Sequence, residues 1–168
     1  MTFKKGNKKM RDKILLITRR VLILLLIIWM IVVFMLSSQP GEESGTLSKK
    51  VALLITFGND ETADSIEPTV RKIAHVTEFA IGAMIFYGIL ITYDKYSLKA
   101  KIIITISFIA IYAGLDEFHQ TFIYDRAGNW IDIIIDTFGG ALGTGATFLV
   151  EACIRIMDEK INQEINGK

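Results

Sequence analysis

The segment Val21–Leu36 is an unbroken run of sixteen apolar residues, and it limits what this chain can fold into more than any other feature. As a helix rising about 1.5 Å per residue it covers ~24 Å, and Ser37 and Ser38 extend it toward the ~30 Å of a bilayer's hydrocarbon core. Arg19 and Arg20 stand at its start, where long cationic side chains snorkel to the headgroups. The rest of the chain continues the pattern. Of 168 residues 51% are apolar, and the 19 basic and 18 acidic residues gather between long apolar runs instead of scattering. That arrangement excludes a disordered chain and predicts a polytopic membrane protein. The single cysteine excludes a disulfide within the chain.

Three further stretches read as spans, at about 73–93, 102–119 and 131–154. The middle one is uncharged only over Ile102–Leu115, ~21 Å of helix, so it crosses only if the helix runs on through Asp116, Glu117 and His119. The fold expected is all-α. Residues 1–20 form a basic arm, and residues 21–154 form a bundle of four transmembrane helices whose first span is about 21–38. Residues 155–168 form an amphipathic tail lying on the cytoplasmic surface, since Ile154, Met157, Ile161 and Ile165 recur at helical spacing.

Orientation follows from the basic residues. With the N-terminus inside, 14 Lys and Arg fall on the inner side and five on the outer, while twelve of the acids fall outside and six inside. The positive-inside rule therefore places both termini in the cytoplasm of a bacterial plasma membrane. No A-x-A site follows the first apolar run, which reads as an uncleaved anchor. Trp130 and Tyr124 fall near the outer interface, Tyr93 and Tyr96 near the inner one. In the outer loop, Leu47–Phe57 has the spacing of a short interfacial helix. The acidic stretch Gly58–Glu67 reads as loop, with Pro68 in the first turn of the next helix.

The polar residues of the spans converge on the outer end. Ser37, Ser38 and Gln39 close the first span there, and Arg71, Lys72, His75 and Glu78 open the second. Asp116, Glu117, His119 and Gln120 close the third, and Arg126, Asp132 and Asp136 lead into the fourth. Arg71, His75, Glu78 and Gly82 form one stripe at helical spacing. Asp132, Asp136, Gly139 and Gly143 form a second, and Tyr112, Asp116 and His119 a third. Gly139 with Gly143, and Ala141 with Gly145, are small-xxx-small pairs, which points the polar stripes inward. A carboxylate near mid-membrane costs roughly 2.5–3.5 kcal/mol, so Glu78 and Asp136 should be paired or protonated.

Each group has a chemical reading and a structural one. His75 and Glu78 suit a general base with its orienting carboxylate, two metal ligands, or a polar link between helices. Asp116 and Glu117 with two histidines could hold a divalent cation, although no H-E-x-x-H or C-x-x-C motif supports one, and Glu117 also reads as a solvated acid at a helix end. Arg71 and Arg126 suit an anionic headgroup, or else pair with Asp132, Asp136 or Glu78. Ser37 and Ser38 end a helix, and Cys153 is packing. The basic arm contacts anionic lipid rather than nucleic acid.

The segments Ser37-Ser38-Gln39-Pro40, Arg71-Lys72-Ile73-Ala74-His75-Val76-Thr77-Glu78-Phe79, Asp116-Glu117-Phe118-His119-Gln120 with Arg126, and Asp132-Ile133-Ile134-Ile135-Asp136 with Gly139 and Gly143 occur in this order. In them the chain resembles the VanZ-like family of small bacterial membrane proteins. Position 136 holds Asp where such sequences more often hold Asn. The resemblance implies an envelope protein associated with glycopeptide resistance, teicoplanin in particular. It implies no particular reaction, and no cofactor follows from it.

Three functions fit. In the first, an outward polar pocket binds an amphiphilic or anionic envelope molecule, such as a lipid, a lipid-linked cell-wall precursor or a lipoglycopeptide. Arg71, Lys72, Glu117, His119, Gln120, Arg126, Asp136, Ser38 and Gln39 would be its ligand-binding residues. In the second, a membrane-embedded hydrolase or transferase acts on such a headgroup. His75 would be its acid or base, oriented by Glu78, with Asp116 and Asp132 positioning water or metal. In the third, the polar cluster only holds the helices together. Four short spans around a polar centre also allow a homo-oligomer.

Overall fold

The structure is a computed structural model that describes residues 2–165 and 167, with side chains described for 8–41, 45–164 and 167. The described residues form five helices and no strand: α1 (Thr2–Ser37), α2 (Gly41–Ile55), α3 (Asp60–Ile91), α4 (Leu98–Gln120) and α5 (Trp130–Ile165). All but α2 are long and apolar enough to cross a membrane. The third span does continue through its charged end. Its 23 residues, Leu98–Gln120, capped by the Ser97 side chain, give about 34 Å, enough to cross.

Three boundaries differ from the reading of the sequence. The stretch Gly58–Glu67 is not a loop, because α3 begins at Asp60. Asn59 caps it by accepting from the Thr62 N–H at 3.0 Å, and Asp60 and Glu61 in the first turn complement the positive end of the helix dipole. Pro68 consequently lies inside α3 rather than in its first turn. α2 begins at Gly41, six residues earlier than the spacing indicates. Residues 2–20 of the arm and 155–165 of the tail are continuous with α1 and α5. Between α2 and α3 the chain turns through Phe57 (φ 51°) and Gly58 (φ 85°), and the Gly58 N–H donates to Leu53 O at 2.9 Å.

The core joins α1, α3 and α4. Trp29 and Val33 pack with Phe79, Ala83, Ile109 and Ala113. The Trp29 indole donates to Glu78 O at 2.9 Å, and the Tyr112 hydroxyl to Met30 O at 2.7 Å. Polar handles of buried aromatics need such partners where no water competes. α5 lies on α3 with its glycines inward. A Cβ at Gly139 would meet the Val76 carbonyl, and one at Gly143 the Ala80 carbonyl. That backbone-to-backbone approach is what small-xxx-small spacing permits. Gly145 has no such neighbour, so its pairing with Ala141 has no packing role in this bundle.

At the end where α3 finishes, a second polar group is buried. Glu151 of α5 accepts from Lys101 Nζ at 2.5 Å, Tyr87 OH at 2.9 Å and Arg155 Nη2 at 2.7 Å. Lys101, 2% exposed, is in the first turn of α4. Nearby, Arg19 of α1 donates to the Thr92 hydroxyl at 2.9 Å and to its carbonyl at 2.6 Å, and lies over the Tyr93 ring. Cys153 is exposed rather than packed.

Candidate functional site

At the other end, α1, α2, α3 and α4 enclose a cavity of about 380 Å³. Val33, Leu36, Leu47, Val51, Ile55, Val70 and Ile73 give it an apolar side. Ser37, Gln39, Ser48, Arg71, His75, Glu78, Asp116 and Arg126 give it a polar one. α2 is its roof. The spacing that makes Leu47, Val51 and Ile55 one face of a helix turns that face into the cavity, while the Ser48 hydroxyl donates to Glu67 of α3. Glu67 in turn accepts from Arg71 Nη2 at 3.0 Å. Lys49 of the roof pairs with Asp64 at 2.7 Å, and that bond raises its pKa above the ordinary lysine value.

A second cavity, about 270 Å³, lies between α3 and the start of α5. Glu67, Arg71, Lys72, His75, Asn129, Asp132 and Asp136 line it. The two cavities meet at Arg71 and His75, which line both.

The histidine's partner is not the one its helix suggests. Among the described residues no ion pair joins His75 to Glu78. His75 Nδ1 instead lies 3.3 Å from Asp136 Oδ1 on α5. Gly139 sets this approach, because it lets α5 close on Val76 beside the histidine. Asp136 is 0% exposed, and neither of its oxygens has hydrogen-bond geometry with a partner. His75 Nδ1, Glu78 Oε1, Arg71 Nε, Ser37 Oγ and Glu117 Oε1 are likewise buried without a hydrogen-bond partner. All these unsatisfied atoms belong to the cavity end. Each such group left unpaired costs roughly 1–3 kcal/mol, so the cavity end is where water or a bound group would find open donors and acceptors.

The remaining candidates take other roles. Asp116 lines the larger cavity and accepts from Gln120 Nε2 at 2.9 Å, so Gln120 positions Asp116. Glu117 is buried, not solvated, and accepts from the Asn129 N–H at 2.7 Å, which pins the loop before α5. His119 leaves the cluster. It stacks on Phe34 with ring centroids 4.5 Å apart, and its Nε2 lies 3.0 Å from the Ser38 hydroxyl. Of the stripe Tyr112–Asp116–His119, only Asp116 lines the larger cavity. A cation site using both histidines does not form, and among the described residues no three His, Cys, Asp or Glu converge as metal ligands. Gln39 and Arg126 line the larger cavity; Lys72 and Asp132 line the smaller.

Arg126 makes no ion pair among the described residues. Burial, then the neighbouring Arg71, lowers its pKa from the ordinary arginine value. Two guanidinium groups therefore serve one cavity, and the partners once expected for them, Asp132, Asp136 and Glu78, pair with neither. Sequence reasoning missed Ser48 and Glu67. The Glu67–Arg71 spacing of four on one helix was a readable sign of their pairing.

A family model described as VanZ/LLP1 matches residues 22–151, which takes in α2, α3 and α4, part of α1 and of α5, and the residues lining both cavities. No curated protein and no solved structure matches the chain.

Proposed function

The chain belongs to the VanZ/LLP1 family, a membrane-protein family, and from that premise we propose that it contributes to glycopeptide resistance of the teicoplanin type at the bacterial plasma membrane. It does so by binding an amphiphilic or anionic envelope molecule in the cavity beneath α2. The observation that carries this reading is the two-sided lining, apolar on one side and bearing Arg71 and Arg126 on the other. An acyl or prenyl chain fits the first side, and forked guanidinium donors fit a phosphate or carboxylate on the second. The excess of basic residues at the opposite end supports an outward-facing cavity.

The expected outcome is that expression raises teicoplanin tolerance, and that Arg126→Ala and Glu78→Gln remove the gain at unchanged membrane abundance. Unchanged tolerance in both variants overturns the reading. For orientation, a cysteine at Asn129 in a Cys153→Ser background should react with an impermeant thiol reagent in intact cells. Labelling only after lysis reverses the topology.

One observation favours a second reading. His75 and Asp136 face each other at 3.3 Å across α3 and α5, in the wall between two cavities. A histidine held by a buried carboxylate is an acid–base pair, which suits a hydrolase or transferase acting on a lipid or cell-wall-precursor headgroup.

A further inference from the structure

The two cavities are unlike, and their common wall holds the reactive groups. The larger offers an apolar side. The smaller is walled by Glu67, Lys72, Asn129, Asp132 and Asp136, a lining that admits water. His75 belongs to both. Its Nδ1 is buried and turned to Asp136, so the 28% of the side chain that stays exposed lies away from that nitrogen. Arg71 also belongs to both, and its buried Nε is a donor in want of an acceptor. Arg126 adds a second guanidinium on the larger side.

We infer that the two cavities are halves of one hydrolytic site for the phosphate monoester of a membrane lipid. The inference rests on the second reading above and names its substrate class. The lipid chain lies against the apolar side of the larger cavity, and the phosphate takes the unpartnered Nε of Arg71 and the guanidinium of Arg126. A phosphate monoester offers three oxygens to such forked donors, more than a carboxylate can. Water enters from the smaller cavity and attacks phosphorus. One oxygen–phosphorus bond forms, and the bond from phosphorus to the lipid oxygen breaks. His75 takes the proton from the attacking water and hands it to the departing lipid oxygen, so the products are a lipid alcohol and inorganic phosphate. Asp136 is a positioning residue that holds the ring. The charged groups facing His75 are Glu78 from its own helix, Asp136 from α5 and Asp116 from α4.

The test uses the full chain in phosphatidylcholine vesicles carrying either phosphatidic acid or a polyprenyl phosphate, with released phosphate as the readout. Release is expected from these lipids and not from soluble glycerol phosphate. His75→Ala should lower turnover by about a hundred-fold or more. Asp136→Asn should lower it less and displace the pH profile, which a merely structural role would not do. Cys153→Ser should leave it unchanged. Should His75→Ala fail to insert, His75→Gln, closer in volume, carries the same expectation. Equal release from glycerol phosphate overturns the lipid assignment. A headgroup altered without phosphate release overturns the phosphate assignment and leaves the hydrolase reading standing. Lipid bound but unaltered overturns both and leaves only binding. Turnover of the histidine variants at the wild-type rate overturns the role of His75.

Discussion

The bundle buries charge at both ends, and the two ends treat it in opposite ways. At one, Glu151 is surrounded by Lys101, Tyr87 and Arg155, with every contact a hydrogen bond of 2.5–3.2 Å. No side chain of that group has an unsatisfied buried atom. At the other, Asp136, His75, Glu78 and Arg71 all carry buried atoms without a hydrogen-bond partner, and they line or back two cavities. The two clusters therefore differ in how their polar atoms are met, not in whether charge is buried. A satisfied network fastens helices. An unsatisfied one beside open volume leaves donors and acceptors open to water or a bound group.

The comparison can be broken first where the effect is largest. Glu151→Ala leaves Lys101 buried without its counter-ion, and the cost should be about 3–5 kcal/mol. Unfolding of the purified protein in mixed micelles measures it. Adding Lys101→Met should recover much of the loss, because replacing both partners removes the uncompensated charge. If the single variant is as stable as the parent, the cluster is not the fastening described here. Next comes Gly139→Ala, whose new methyl meets the Val76 carbonyl and should cost about 1–3 kcal/mol through overpacking. Because this glycine sets the approach of Asp136 to His75, teicoplanin tolerance should fall with stability. Smallest in stability is Asp136→Asn, expected within about 1 kcal/mol of the parent, since the amide keeps the carboxylate's size and an oxygen facing His75 Nδ1. Tolerance should nevertheless be lost. Strong destabilisation by Asp136→Asn would make the cavity-end cluster a fastening like the other.

Part of this division was readable along the chain. The stripe of Arg71, His75, Glu78 and Gly82 needs only the helical period, and the structure keeps Arg71, His75 and Glu78 on one cavity. Gly82 lies one turn deeper, against the Trp29 indole. The glycines after Asp136 likewise announced a close helix contact. The pairing of His75 was not readable, because Glu78 is near in sequence while Asp136 is near only after α5 docks on α3. His119 looked equivalent to His75 and is not, since its ring stacks on Phe34 of α1 beside Ser38 and lines neither cavity. Glu151 drew no notice at all. One acid in an apolar run carries no local mark of its partners, and Lys101 lies 50 positions away.

The sequence by itself determined the class, the number of long helices and the end at which polar groups gather, because hydrophobic runs and the helical period are local properties of the chain. Only the tertiary structure decided which of those polar groups are satisfied and which are held open. Satisfaction depends on contacts between helices, and in this bundle those are set where glycine lets one backbone reach another.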